Sequence, residues 1–205
     1  MRLPRHIRSI WKKFGGLFLG LIIVVGVGVW YHFWGPGQLE AVDLKAYNSV
    51  RAALAELQRD PNDSEAALQA GMGYYNLSNM NKAAAYYTKA IELDPASALA
   101  WNGLGNAYRE LLQFREAEKA YQQAIKLDPK ATTTYLNLAN LYNQWPGDEK
   151  NQQPQIPKIL KAGLAQVGDN PHLLQALVDY YVAIGSPKQA DQYRRGLESL
   201  KTLRE

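Results

Sequence analysis

The chain has 205 residues, 47% of them hydrophobic, and a formal charge of +4 from 23 basic and 19 acidic side chains. It has no cysteine, which excludes disulfides and thiolate metal sites. Five of the basic residues (Arg2, Arg5, Arg8, Lys12 and Lys13) precede residue 14, which leaves 18 against 19 acidic in the remainder. The excess charge therefore belongs to the N-terminus, and the near-neutral rest argues against nucleic acid as a partner.

Residues 1–13 form a basic segment that leads into an apolar run, 14–34, without Asp, Glu, Lys or Arg. As a helix the run would be roughly 31 Å long, about the thickness of a bilayer's hydrocarbon core. Trp11 and Phe14 at one end, and Trp30, Tyr31, Phe33 and Trp34 at the other, are spaced to sit at the headgroups. This predicts a single transmembrane helix over 14–34 in contact with the lipid bilayer. Basic residues before it, and the mixed Glu40, Asp43 and Lys45 after it, predict a cytoplasmic N-terminus. The rest of the chain is then expected outside the cytoplasm, in the periplasm if the cell has two membranes. Gly26-Val27-Gly28 resembles a signal-peptide cleavage site, but it lies inside the apolar run and bulky aromatics follow it. Gly16-x-x-x-Gly20 would let two such helices approach closely, one route to a homo-oligomer. A short linker, 35–39, opens with Gly35-Pro36-Gly37.

Residues 40–60 read as a capping helix with Tyr47, Val50, Leu54 and Leu57 on one face. Beyond it a block repeats. Pro61, Pro95 and Pro129 are 34 residues apart, each preceded by an aspartate (Asp60, Asp94, Asp128). In the middle block Trp101, Leu104, Gly105, Tyr108 and Leu111 form one helical stripe; Ala117, Ala120, Tyr121, Ala124 and Ile125 form a second. Gly105 and Ala117 leave room for Tyr108 and Tyr121 where the two helices meet. The first block has Ala67, Ala70, Gly71 and Tyr74, then Ala83, Tyr87, Ala90 and Ile91. The third opens with Tyr135, Leu138, Ala139 and Tyr142, then meets a polar, turn-rich insertion at 145–157, after which Pro157 is expected to restart a helix ending near Ala165. A degenerate fourth block has Leu174, Leu177, Val178 and Tyr181, then Ser186-Pro187 as the opening of a last helix. The expectation is an all-α chain of about nine helices after the anchor.

The spacing Trp101-x-x-Leu104-Gly105-x-x-Tyr108, then Ala117-x-x-x-Tyr121 and Asp128-Pro129, resembles the tetratricopeptide repeat (TPR) family, with Tyr121 standing where phenylalanine is usual. The resemblance covers roughly 62–205 and implies an α-solenoid of about four hairpins over 61–205. It is similar to membrane-anchored bacterial repeat proteins of envelope assembly, and so implies a scaffold that binds protein segments in or near the membrane. The alternative is a permanent structural subunit of a membrane complex, contacting partners through the convex face or the 145–157 insertion.

The family likeness also implies that the first helix of each hairpin lines a concave groove. In this chain those positions are Glu65, Leu68, Gln69, Met72, Tyr75 and Asn76; Leu99, Asn102, Asn106, Arg109 and Glu110; Thr133, Leu136, Asn137, Asn140, Asn143 and Gln144; and Gln175 and Asp179. Asn102, Asn106, Asn137 and Asn140 stand out, because each amide offers a donor and an acceptor to the backbone of an extended peptide. Met72, Tyr75 and Arg109 complete the candidate binding set. Asn106 and Asn137 match the asparagine pair with which relatives hold chaperone C-termini, but Leu68, Asn102, His172 and Ala176 stand where the cations would be. No enzyme, cofactor or metal is expected: His6, His32 and His172 are scattered, Glu116 and Glu118 read as solvated helix charges, and Gly103-Leu104-Gly105 falls mid-helix rather than in a phosphate loop.

Overall fold

The computed structural model describes residues 41–146 and 153–202. The expected membrane span, with Trp11, Trp30, Tyr31 and Trp34, lies outside these residues, as do residues 147–152 of the insertion. Among the described residues no helix is long and apolar enough to cross a membrane. The chain divides into two compact units, Met1–Lys45 and Ala46–Glu205. The described part of the first is the opening turn of a helix, and the second holds the helical stack.

Nine helices follow one another among the described residues: α1 (Ala41–Arg59), α2 (Ser64–Asn76), α3 (Met80–Leu93), α4 (Ala98–Glu110), α5 (Phe114–Leu127), α6 (Thr132–Gln144), α7 (Gln155–Val167), α8 (Pro171–Ala183) and α9 (Pro187–Thr202). Pairs α2–α3, α4–α5, α6–α7 and α8–α9 are antiparallel hairpins, and the first helices α2, α4, α6 and α8 also touch one another in sequence. One correction concerns α7, which begins at Gln155 rather than Pro157 and runs past Ala165 to Val167. Pro157 fits inside the first turn, where its missing N–H would have had no helical partner.

The Asp-Pro signature has a physical role. Asp60, Asp94 and Asp128 each turn a carboxylate onto the backbone N–H two residues on, in Asn62, Ala96 and Lys130, at 2.9, 3.0 and 3.0 Å. The turn delivers the next helix, and in α2 and α4 a second side chain caps it: Asp63 accepts from Ala66 N–H and Ser97 from Ala100 N–H. Inside the α2–α3, α4–α5 and α8–α9 hairpins the first helix ends in a left-handed residue, Ser78, Leu112 or Gly185. Each is followed by a backbone bond back to the helix: Asn79 N–H to Tyr74 O, Gln113 N–H to Tyr108 O, and Ser186 N–H to Tyr181 O.

Packing between helices depends on small residues opposite rings. The Tyr87 ring lies between Gly71 of α2 and Gly103 of α4, where an added Cβ would come within 2.7 and 2.5 Å of ring carbons. Tyr121 meets Gly105 in the same way, at 2.6 Å. Gly103-Leu104-Gly105 is thus a buried contact surface at the middle of α4. Ala53 and Leu57 of α1 join the core of the first hairpin, and a Cβ on Gly73 would strike the Val50 side chain. Tyr108 packs against both the core around α2–α4 and the core around α6–α8, which joins them.

Leu112 holds φ +60° with a side chain that is 72% exposed. A Cβ is disfavoured in that conformation and the side chain gains little from burial. Leu112→Gly is therefore expected to raise stability by about 1 kcal/mol in urea unfolding.

Candidate functional site

The first helices present equivalent positions to one another. Met72, Asn106, Asn140 and Asp179 share one register on α2, α4, α6 and α8, as do Leu68, Asn102, Leu136 and Gln175. The expected groove residues divide between two pockets along this line. Met72, Tyr75, Asn76, Leu99, Asn102 and Asn106 line one of about 190 Å³ between α2 and α4, and Tyr87 of α3 forms part of its wall. The other, about 510 Å³, lies between α6, α7 and α8, and Leu136, Asn140, Asn143 and Asp179 are on its wall.

The asparagines do not act as four equivalent free amides. Asn137 Nδ2 donates to Asn102 Oδ1 at 3.1 Å, bridging α6 to α4. Asn106 Oδ1 accepts from the Tyr121 hydroxyl at 2.7 Å. Each of the three keeps part of its hydrogen-bonding capacity, but in a fixed orientation: Asn102 and Asn106 keep their NH₂ groups, and Asn137 keeps its carbonyl oxygen. Asn140 is exposed and lines the larger pocket. Sequence spacing could not show these pairings, since the partners lie 35 and 15 residues apart.

Other positions differ from the groove pattern. Leu68 is 5% exposed and belongs to the core, because α2 turns it inward with Ala66 and Ala67. The Arg109 side chain is 14% exposed and bonds Glu110 at 2.9 Å, so its charge is already partnered. Burial works most strongly against that charge, but the Glu110 hydrogen bond together with the charge interactions of Tyr121, Glu110 and Tyr75 outweighs it, and the guanidinium pKa is raised. Glu65 and Gln69 bond each other on the exposed face of α2, as do Gln175 and Asp179 on α8. Glu118 is more than a solvated charge: it accepts from the Tyr142 hydroxyl at 2.7 Å and ties α5 to α6. Trp145 stacks on Phe114 at 5.6 Å, which fastens the start of the insertion to the N-terminus of α5. Among the described residues no group of three His, Asp or Glu side chains comes together as metal ligands would.

Burial pushes the phenols of Tyr87 and Tyr121 above their ordinary value of 10, and burial followed by the Glu118 bond does the same for Tyr142.

Two sequence profiles of the tetratricopeptide repeat match the chain, one over residues 98–131 and one over 68–111. Residues 68–131 are tetratricopeptide repeats. No curated protein matches it in sequence. Among solved structures, a protein called MamA superposes with a TM-score of 0.63 at 23% identity, over 76% of this chain and 88% of that one. A MamA fragment from Desulfovibrio magneticus RS-1 gives 0.63 at 18% identity, over 78% and 88%. YrrB, described as a TPR protein with an unusual peptide-binding site, gives 0.58 at 16% identity, over 73% and 75%. At these identities the likeness is one of fold.

A phenol whose folded-state pKa lies above its unfolded value stabilises the fold below pH 10. It ceases to do so as pH rises further, because the unfolded chain ionises first. Urea unfolding of this TPR domain is therefore expected to be insensitive to these groups up to about pH 9 and to weaken above pH 10, by about 1.4 kcal/mol per pH unit for each buried tyrosine. Tyr121→Phe, which also loses the bond to Asn106, should cost about 1 kcal/mol at pH 7 and flatten the alkaline fall.

Proposed function

We propose that the chain is a membrane-anchored scaffold whose TPR domain captures extended protein segments outside the cytoplasm and holds them near the inner membrane. The observation that carries this reading is the polar line of Asn102, Asn106 and Asn137, held in place by Tyr121 and by one another. Pre-oriented amides can bond the backbone of an extended segment without the entropy cost of ordering them on arrival. The fold shared with YrrB, for which a peptide-binding site is described, supports the same reading. The apolar run at 14–34 supports the anchor, and the basic residues before it support the orientation. With only the linker 35–39 between anchor and first helix, captured segments would be held close to the bilayer, raising their local concentration there. The chain performs no chemistry itself in this reading and needs no cofactor.

The second reading, a permanent subunit docked through the insertion, is favoured by the Trp145–Phe114 stack, which holds the base of the insertion against the repeat body. Photo-crosslinkers at Asn106, Asn140 and Trp145 in living cells separate the two. Capture of exported or membrane-proximal proteins through the first two positions, lost when Asn102, Asn137 and whichever of Asn106 and Asn140 does not carry the crosslinker are changed to Ala, is the expected result. Crosslinks through Trp145 alone, to one or two complex subunits and unaffected by those substitutions, would replace it with the second reading. Recovery of cytosolic partners alone would overturn the topology.

A further inference from the structure

The larger pocket lies where the third repeat departs from the rule of the first two. Along α3 the buried residues Ala83, Tyr87 and Ala90 are spaced by four and three, and Ala117, Tyr121 and Ala124 repeat this on α5. On α7 the same spacing falls on Ile156, Leu160 and Gly163, so Leu160 stands where a tyrosine stood twice before. A second change accompanies it. Gly71 and Gly105, which admit those rings, correspond to Ala139 on α6, whose methyl group a leucine tolerates. Leu160 fills the ring's place and is itself buried, but α7 carries no hydroxyl side chain to reach the space of about 510 Å³ between α6, α7 and α8.

The pocket retains the polar partner of the missing group. Asn140 holds the register of Asn106, which accepts from the Tyr121 hydroxyl at 2.7 Å. No hydroxyl can reach Asn140 from Leu160, and Asn140 faces the pocket. Around it Leu136, Ile156, Leu160 and Tyr180 form apolar and aromatic walls. The one charged side chain among the lining residues is Asp179, in the register of Asn140 on the next first helix. Asp179 Oδ1 accepts from Gln175 Nε2 at 2.7 Å, a neutral partner that leaves the negative charge uncompensated. A slot with an apolar wall, an amide at its end and such a carboxylate fits an aromatic side chain with a hydroxyl, carried beside a cation.

We propose that this pocket receives a tyrosine side chain of the captured segment, its hydroxyl donating to Asn140 Oδ1 and an adjacent lysine or arginine meeting Asp179. The proposal rests on the segment-binding reading above and adds a sequence preference to it. The partner's hydroxyl plays toward Asn140 the part that the Tyr121 hydroxyl plays toward Asn106 in the second repeat.

The test uses the 205-residue chain in detergent micelles and capped, fluorescein-labelled nonapeptides of Gly and Ser with a central Tyr-Lys, Leu-Lys, Tyr-Glu or Ala-Lys pair, read by fluorescence anisotropy. Tyr-Lys is expected to bind about tenfold more tightly than Ala-Lys or Tyr-Glu, and Leu-Lys to fall between. Ala139→Gly combined with Leu160→Tyr rebuilds the second repeat's arrangement and fills the Asn140 end of the pocket from within, with a hydroxyl placed as that of Tyr121 is on Asn106. It should erase the preference while the helical circular dichroism and its melting temperature are kept. Asn140→Ala, an exposed position, should reduce the advantage of Tyr-Lys over Leu-Lys several-fold without affecting the fold. Equal binding of all four peptides, lost on substituting Asn102 and Asn137, would overturn the tyrosine pocket and leave the groove reading standing. Binding of none would overturn both. A Tyr-Lys preference that survives filling the pocket would place the tyrosine elsewhere and overturn the proposal.

Discussion

Two helices of a hairpin can approach closely only where one of them gives up its side chain, and in this protein the glycines of the first helices do so for the tyrosines of the second. Gly71 and Gly103 enclose the Tyr87 ring and Gly105 receives that of Tyr121, with no room for a methyl group at any of the three. A buried ring removes a large apolar area from water and fixes the distance between helices at once. Because Tyr87 also touches the first helix of the following repeat, the same contact sets the spacing between hairpins. The polar turns reinforce it: each Asp-Pro step directs the chain into the next helix with a side-chain bond to its own backbone.

The surface inherits its character from that packing. Tyr121 reaches through the hairpin to hold Asn106, and Asn102 and Asn137 join neighbouring first helices. The amides thus serve the stack and, with their remaining donors and acceptors, face outward. Where Leu160 replaces the ring, Ala139 replaces the glycine opposite and both stay buried, while the space beside the first helices is about 510 Å³ rather than about 190 Å³. Repetition gives the fold, and departure from repetition gives one end of the groove a chemistry that the other lacks.

Several features were legible in the chain as written. The period of 34, the two stripes of the middle block and the prolines placed the helical hairpins, since helical periodicity and proline act locally. The close fit of Gly105 to Tyr121 could also be anticipated, because small and large residues alternate at the expected spacing. Less visible were the left-handed turns at Ser78 and Leu112, where the usual glycine signal is missing and the conformation is imposed by the hairpin around it. The entry of α7 at Gln155 escaped because a proline marks the first turn of a helix without saying which position in that turn it takes. The burial of Leu68 and the pairing of Arg109 with Glu110 removed two residues from the groove's free surface.

By itself the sequence determined the class of fold, the number of hairpins and the family, because these depend on which residues recur at which interval. It also defined the apolar run and the charge before it, properties of composition alone. The tertiary structure decided which asparagines are engaged and with whom, that Glu118 ties two helices together, and that Asn140 faces a cavity between three helices. Those outcomes depend on side chains brought together from helices 15 to 35 residues apart, and a local pattern carries no record of such meetings.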